Sequence, residues 1–425
     1  MVTPGPADPD WLTRGFQNIW LPYAQMKHVD PPTAVVATSG ARITLADGRE
    51  LVDGIASWWT ACHGYNHPHI AAAVRAQLDV LPHVMFGGLA HEPAYRLATR
   101  LANMLPGDLS RVFFTESGSV AMEVAMKMAV QYRLNRGERA RRKILSFRGA
   151  YHGDTFGTMA ICDPDEGMHA MFAGLLPEQI IADLPRDEAG LARLRDVIAR
   201  HASELTAIVV EPLVQGAGGM LFHDADVLRR LRALADEFDL LLIFDEIFTG
   251  FGRTGAMFAC ATTGVTPDII ALSKALTGGT LPLAATIATS RIFDAFWSDR
   301  PEHALMHGPT YMGNALACAA ANASLDLFET EPRLAQVAAI ADQLARELEP
   351  CRALPGVRDV RVRGAIGVVE LDRPAERVAL MRAFIERGAW IRPFGNIVYL
   401  TPAFTIPADD LSRLTAAIHV VLAAP

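Results

Sequence analysis

The sequence predicts an α/β protein, with a large three-layer domain on a mostly parallel sheet followed by a smaller α+β domain. Three observations carry this expectation. From about residue 92 to 300, helical patterns alternate with short apolar runs, as when helices cover both faces of a sheet. Several of those runs end in one polar residue, which places chemistry at the carboxyl ends of parallel strands. The last 70 residues change to strand, strand, helix, strand, helix. The expected organisation is an N-terminal segment over 1–65 packing with the small domain, a large domain over 66–320 and a small domain over 321–425.

In chain order, Ala41-Arg42-Ile43-Thr44-Leu45, a turn at Asp47-Gly48 and Glu50-Leu51-Val52 read as a small β-meander. The aromatic, turn-rich stretch 58–69 leads into a helix near 69–80. Strands are expected near 111–115, 143–147, 206–210, 240–244, 268–273 and 283–289, with helices between most of them. An Ala-rich helical stretch begins near 313 and breaks near Pro332. Strands near 357–363 and 366–371, a helix near 375–387, the strand 397–400 and a helix from 407 complete the chain.

The 425 residues, 51% hydrophobic and 20% charged, suit a folded protein larger than one ordinary core. A net charge of −8 disfavours nucleic acid or an anionic membrane as partner. Five scattered cysteines without a CxxC pair, no membrane-length apolar run and no secretory pattern in Met1–Arg14 point to a cytoplasmic protein without disulfides.

The stretch Leu240-Leu241-Leu242-Ile243-Phe244-Asp245 is an apolar strand delivering an acid, and Ile269-Ile270-Ala271-Leu272-Ser273-Lys274 is one delivering an amine. An amine to condense with an aldehyde and an acid to pair with a ring nitrogen suit pyridoxal phosphate (PLP). The rival reading is a structural ion pair at a sheet edge. Elimination also favours Lys274. The chain has four lysines, and Lys27, Lys127 and Lys143 lie in the N-terminal segment, a helix and a basic run. At a strand end, Lys274 can be desolvated, which lowers its pKa and frees its lone pair.

Ser117-Gly118-Ser119, between a strand and a helix, can cup a phosphate on free amides, although an ordinary N-cap reads the same way. Tyr151 follows the strand 144–147 and can lie flat on a pyridine ring, and Glu211 adds an acid to the same rim. Two other matches are rejected. Gly250-Phe251-Gly252-Arg253-Thr254-Gly255 fits G-x-G-x-x-G, but two preceding acids would repel a pyrophosphate. His63, His67 and His69 cluster in a turn-rich stretch around Pro68 without an acid to complete a zinc set, so no metal is expected.

Together, Asp245 with Lys274, Ser117-Gly118-Ser119, Tyr151-His152-Gly153 and His307-Gly308-Pro309-Thr310 resemble the class III aminotransferases of PLP fold type I. Ser57-Trp58-Trp59, His63-Gly64-Tyr65-Asn66-His67-Pro68, Gln215-Gly216-Ala217-Gly218-Gly219-Met220 and Ile391-Arg392-Pro393-Phe394-Gly395 are similar to the biotin-pathway branch of that family. The resemblance runs from about residue 16 to the end. It implies a ping-pong transfer of an amino group from S-adenosylmethionine to 8-amino-7-oxononanoate, giving 7,8-diaminononanoate. The donor stays open, because lysine-using relatives share most of these residues.

By the same resemblance, Lys274, Asp245 and Tyr151 would be catalytic. Gly118, Ser119, Tyr151, His152, Glu211, Pro309 and Thr310 would hold the cofactor with them, Thr310 serving the other protomer of a homodimer. Tyr23, Trp58, Tyr151, Asp154, Arg253, Gly308 and Arg392 would bind substrate, with Arg392 on the oxononanoate carboxylate. Phe248, where a small residue is expected, and Tyr311, where Phe is expected, are departures beside site segments. Rival activities are another class III transamination of ω-amino acids or diamines, or a PLP-dependent aminomutase or decarboxylase reaction. A non-catalytic PLP-fold binding protein would lack Lys274.

Overall fold

A computed structural model describes residues 9–164, 170–172 and 174–424. Near the N-terminus, β1 (Val35–Ser39), β2 (Arg42–Leu45) and β3 (Glu50–Asp53) form the expected antiparallel meander. The large sheet uses β4 (Leu109–Thr115), β5 (Lys143–Phe147), β6 (Ile180–Ala182) and β7 (Leu205–Val210). A short hairpin, β8 (Val214–Gln215) with β9 (Leu221–Phe222), leaves it. The sheet continues with β10 (Leu241–Asp245), β11 (Ile269–Leu272) and β12 (Ala284–Thr289). Its spatial order is β4-β12-β11-β10-β7-β5-β6, and only β12 runs against the others. The carboxyl ends of β4, β5, β7, β10 and β11 therefore share one edge.

Strand periodicity sorts the core onto two faces. Leu241 and Ile243 pack with Ala121, Val124, Ala125 and Met128 of the Gly118–Asn135 helix. Leu242 and Phe244 pack on the opposite side with Leu97, Leu194 and Leu231 of the helices Glu92–Met104, Glu188–His201 and Ala225–Glu237. With both faces covered, β10 is buried at every position, which is why it reads as an unbroken apolar run.

After the helices Ala315–Thr330 and Arg333–Leu348, β13 (Val357–Arg363), β14 (Ile366–Leu371) and β16 (Ile397–Leu400) form an antiparallel sheet. Pro332, which has no N–H, stands as the N-cap of the second helix and makes the break read from the sequence. Between β14 and β16, β15 (Ala389–Trp390) leaves to pair in parallel with β3. Bonds from Gly54 N–H to Trp390 O (2.9 Å) and Thr401 N–H to Gly54 O (2.7 Å) join the meander to this C-terminal region. The sequence gives no sign of β6, a three-residue edge strand in which only Ala182 is buried. Among the described residues no helix is long and apolar enough to cross a membrane.

Candidate active site

Lys274 follows β11 with a left-handed backbone, φ 47°, as Ser273 Oγ anchors the preceding turn by donating to Leu283 O (2.9 Å). A non-glycine residue at positive φ stores backbone strain and is held there only by its surroundings. Its Nζ lies 4.2 Å from the centroid of the Trp59 ring and 5.8 Å from that of Phe248. Burial lowers its pKa from an ordinary 10.5 to about 8, against the opposing pull of Asp245 and Glu211.

Asp245, at the end of β10, is 4% exposed. Its Oδ1 accepts the Ile247 N–H (3.1 Å) and its Oδ2 accepts from His152 Nδ1 (2.7 Å). The carboxylate can only accept, so the shared proton belongs on Nδ1, and Nε2 faces Ser146 Oγ at 3.4 Å. His152, which the resemblance places among the cofactor-holding residues, is 2% exposed and bonds Asp245 directly.

Glu211, just past β7, accepts the N–H groups of Gly216 (2.9 Å) and Tyr151 (3.1 Å). Burial raises its pKa to about 7; His152 opposes the shift and Asp245 adds to it. Glu211 thus fixes the Tyr151 backbone from below. The Tyr151 hydroxyl donates to Asp154 Oδ1 (2.9 Å), and the Tyr23 hydroxyl donates to Asp154 Oδ2 (2.6 Å). Burial raises the Tyr151 pKa, with Tyr23 and Asp154 adding to it, so the phenol keeps its proton.

After β4, Ser117 caps the Gly118–Asn135 helix by accepting the Val120 N–H (3.3 Å). The first amides of the helix, those of Gly118 and Ser119, have no acceptor within it. Asp154 N–H donates to Ser119 Oγ (3.2 Å), which ties this cup to the Tyr151 loop. Gly153, φ 130°, permits that approach, since a Cβ there would lie 2.1 Å from Ser119 Oγ.

The mouth rests on a backbone device with no sequence signal. Ala56, Ser57, Trp58 and Trp59 all have positive φ, between 45° and 74°, and none is glycine. Each left-handed non-glycine residue costs roughly 1–2 kcal/mol. The 1%-exposed Asp53 holds the run by accepting the N–H groups of Ile55 (2.8 Å) and Ser57 (3.0 Å) and the Tyr65 hydroxyl (2.5 Å). The turn carries Trp58 outward, with Tyr23 edge-on at 6.4 Å and the Arg392 guanidinium 4.9 Å above its ring. Among the described residues no carboxylate pairs with Arg392, and burial lowers its pKa, with Arg377 adding to the effect.

Arg253, which the resemblance places among the substrate-binding residues, is buried under the turn 250–255. It is 1% exposed, lies over Phe404 at 4.5 Å and donates from Nη1 to Ala365 O (3.2 Å) and Pro402 O (2.7 Å). Burial lowers its pKa to about 10. A guanidinium sunk under the turn 250–255 braces the C-terminal backbone. Gly308, Pro309 and Thr310 lie on a surface segment, with Gly308 and Thr310 exposed. Phe248 packs on Trp59 at 4.3 Å and against Gly216, where a Cβ would come within 2.8 Å of its ring. Tyr311 is exposed and lies 4.6 Å from the His83 ring. His63 and His69 bond to Ser324 Oγ and Asp326, each at 3.0 Å, and to no common centre.

An amine with no acid paired to it among the described residues, a buried carboxylate, a helix N-terminus with free amides and a fixed phenol fit the aldehyde, ring nitrogen, phosphate and face of PLP. The model of the family described as Aminotransferase class-III matches residues 23–422.

The chain belongs to the class-III aminotransferases.

Among its relatives, this aminotransferase is 47% identical over 409 residues, 94% of each chain, to the adenosylmethionine-8-amino-7-oxononanoate aminotransferase of Mycobacterium leprae. Its fold matches the crystal structure of the enzyme of that name from Methanocaldococcus jannaschii, with a TM-score of 0.92, 32% identity and 97% of each chain covered. It also matches an amine transaminase from an uncultivated Pseudomonas species, solved in its PLP-bound form. That match has a TM-score of 0.88 and 34% identity, covering 95% of this chain and 98% of the other.

Proposed function

We propose that this class-III aminotransferase moves the amino group of S-adenosylmethionine to 8-amino-7-oxononanoate, giving 7,8-diaminononanoate for biotin biosynthesis. The observation that carries this reading is Arg392, a partly desolvated guanidinium over Trp58 with no carboxylate of the described chain to pair with. A planar fork in that setting suits the carboxylate of a long-chain acceptor. The flat face of Trp58 suits two unlike ligands, because it binds by area. The names of the relatives at 47% and 32% identity support the same pair of substrates.

PLP, when bound, supplies an electrophilic carbon and an electron sink. Lys274 would hold it covalently, give way to the donor amine and then carry the α-proton, a task for which a pKa of about 8 is suited. Asp245, oriented by His152, would keep the ring nitrogen protonated. The amides of Gly118 and Ser119, with Ser119 Oγ, would hold the phosphate, and Tyr151 would cover the ring, its backbone held by Glu211. Tyr23, Trp58, Asp154 and Arg392 would form the substrate mouth.

The active unit would be a cytoplasmic homodimer in which Gly308, Pro309 and Thr310 complete the site of the partner. We further propose that the chain divides into an N-terminal segment over 1–65, a large domain over 66–320 and a small domain over 321–425. The pairing of β15 with β3 and the two-faced core of the large sheet support that division.

The test is the first half-reaction with a panel of amino donors, followed as the cofactor absorbance shifts to the pyridoxamine form. S-adenosylmethionine should convert the enzyme fully. Conversion by lysine and not by S-adenosylmethionine would place the chain among lysine-using enzymes. Preference for simple amines, which the match to the amine transaminase favours as the second reading, would overturn the biotin-pathway assignment.

A further inference from the structure

The surface segment that carries Gly308, Pro309 and Thr310 is held by one helix through a ladder of side chains. On Gly118–Asn135, residues 127, 131 and 135 recur every four positions and so share a face over roughly 12 Å. Lys127 Nζ donates to Met306 O (2.8 Å) and to His307 Nδ1 (3.2 Å). Gln131 Nε2 donates to Ala304 O (2.9 Å) and His303 O (3.2 Å). Asn135 Nδ2 donates to His303 O and Ala295 O, both at 3.1 Å. His307 also stands edge-on to Phe113 of β4, at 6.0 Å between centroids.

A side chain that donates to a backbone carbonyl fixes the path of the chain whatever side chains that path carries. Lys127 is the last rung before Gly308, and its ammonium binds two successive residues, so it sets the direction in which Gly308-Pro309-Thr310 leaves the helix. It is also one of four lysines in a chain whose positive charge is otherwise carried by arginine. An ammonium is a compact donor with three protons, able to serve a carbonyl and an imidazole at once, whereas the planar fork of arginine spreads its donors. The same helix begins at Gly118 and Ser119, the phosphate cup of its own subunit.

We infer that Lys127 is a positioning residue for the active site of the partner subunit, holding the 306–310 segment in the direction that brings Thr310 to the other cofactor. This rests on the homodimer reading above. Each Gly118–Asn135 helix then serves two sites, its own through its first amides and the neighbouring one through Lys127.

Hybrid dimers test this, with the loss of bound PLP on dilution as the readout. In one hybrid, Lys127→Met and Lys274→Ala sit on the same subunit and the other subunit is wild type. The competent site is then faced by a segment without its lysine anchor, and PLP should be lost at least about tenfold faster than from wild type. In the other hybrid, the two substitutions sit on different subunits. The competent site then faces an intact segment and should lose PLP at the wild-type rate. Lys127→Arg, which keeps charged donors, should restore most of the first hybrid's retention.

Equal loss from both hybrids, or loss only from the second, overturns the inference and leaves Lys127 a support of its own subunit. Thr310→Ala in the same two arrangements separates the inference from the reading beneath it. If Thr310→Ala acts across the dimer and Lys127→Met does not, the inference alone fails. If Thr310→Ala does not act across the dimer, the homodimer reading fails as well. Should the Lys127→Met subunit not fold, Gln131→Leu, which removes the neighbouring rung, takes its place in both hybrids with the same expectations.

Discussion

Around Lys274, the acids that matter are buried and each is bonded twice: Asp245 by His152 and Ile247, Glu211 by Gly216 and Tyr151. At the mouth, Trp58 is 39% and Tyr23 47% exposed, and both sit on left-handed backbone. The floor is built from strand ends, where burial tunes pKa and leaves little freedom. The mouth is built from a strained turn and an N-terminal segment, where the surfaces are broad and flat. On the proposed function, chemistry shared by both half-reactions would belong to the floor, and discrimination between donor and acceptor to the mouth. Substitutions in the two regions should therefore differ in kind.

The largest effect is expected at the floor. Lys274→Ala should reduce turnover by at least about 10⁴-fold, since covalent attachment and proton transfer are lost together. Borohydride reduction of the holoenzyme and peptide mapping should place the label on Lys274, and a label on Lys127 would defeat the assignment. In the apoenzyme, acylation of Lys274 should rise with pH through a midpoint near 8, because below that pH the side chain is an ammonium and above it an amine.

Asp245→Asn should cost about 10²–10³-fold in both half-reactions with cofactor retained, because an amide cannot keep the ring nitrogen protonated. Near-normal turnover would remove the electrostatic role given to the Asp245–His152 pair. Tyr23→Phe, which deletes one of the hydroxyl donors to Asp154, should cost less than about tenfold. A loss as large as that of Asp245→Asn would mean that floor and mouth are not separate.

The floor was the legible half. An apolar run ending in one acid or one amine is a local pattern, and it located Asp245 and Lys274 because β10 and β11 are buried on both faces. Ser117-Gly118-Ser119 was legible as a helix start, with Ser117 as its cap. The mouth was less so. The left-handed run from Ala56 to Trp59 contains no glycine, and the Asp53 carboxylate that holds it reads in sequence as the end of a strand. The burial of Arg253 was not legible, because an arginine in a glycine-rich turn shows nothing of its depth, which here depends on Phe404 and on carbonyls far along the chain. The positions of Trp58 and Arg392 beside each other follow from the parallel pairing of β15 with β3, a contact between distant parts of the chain.

Arg392→Ala, followed through the two half-reactions separately in single-turnover mixing, tests the division most directly. The half-reaction with S-adenosylmethionine should proceed within about threefold of wild type, while kcat/KM for 8-amino-7-oxononanoate should fall by about tenfold to a hundredfold, mainly through KM. Equal losses in both halves would contradict the account, because Arg392 would then serve the donor or the scaffold and not the acceptor's carboxylate.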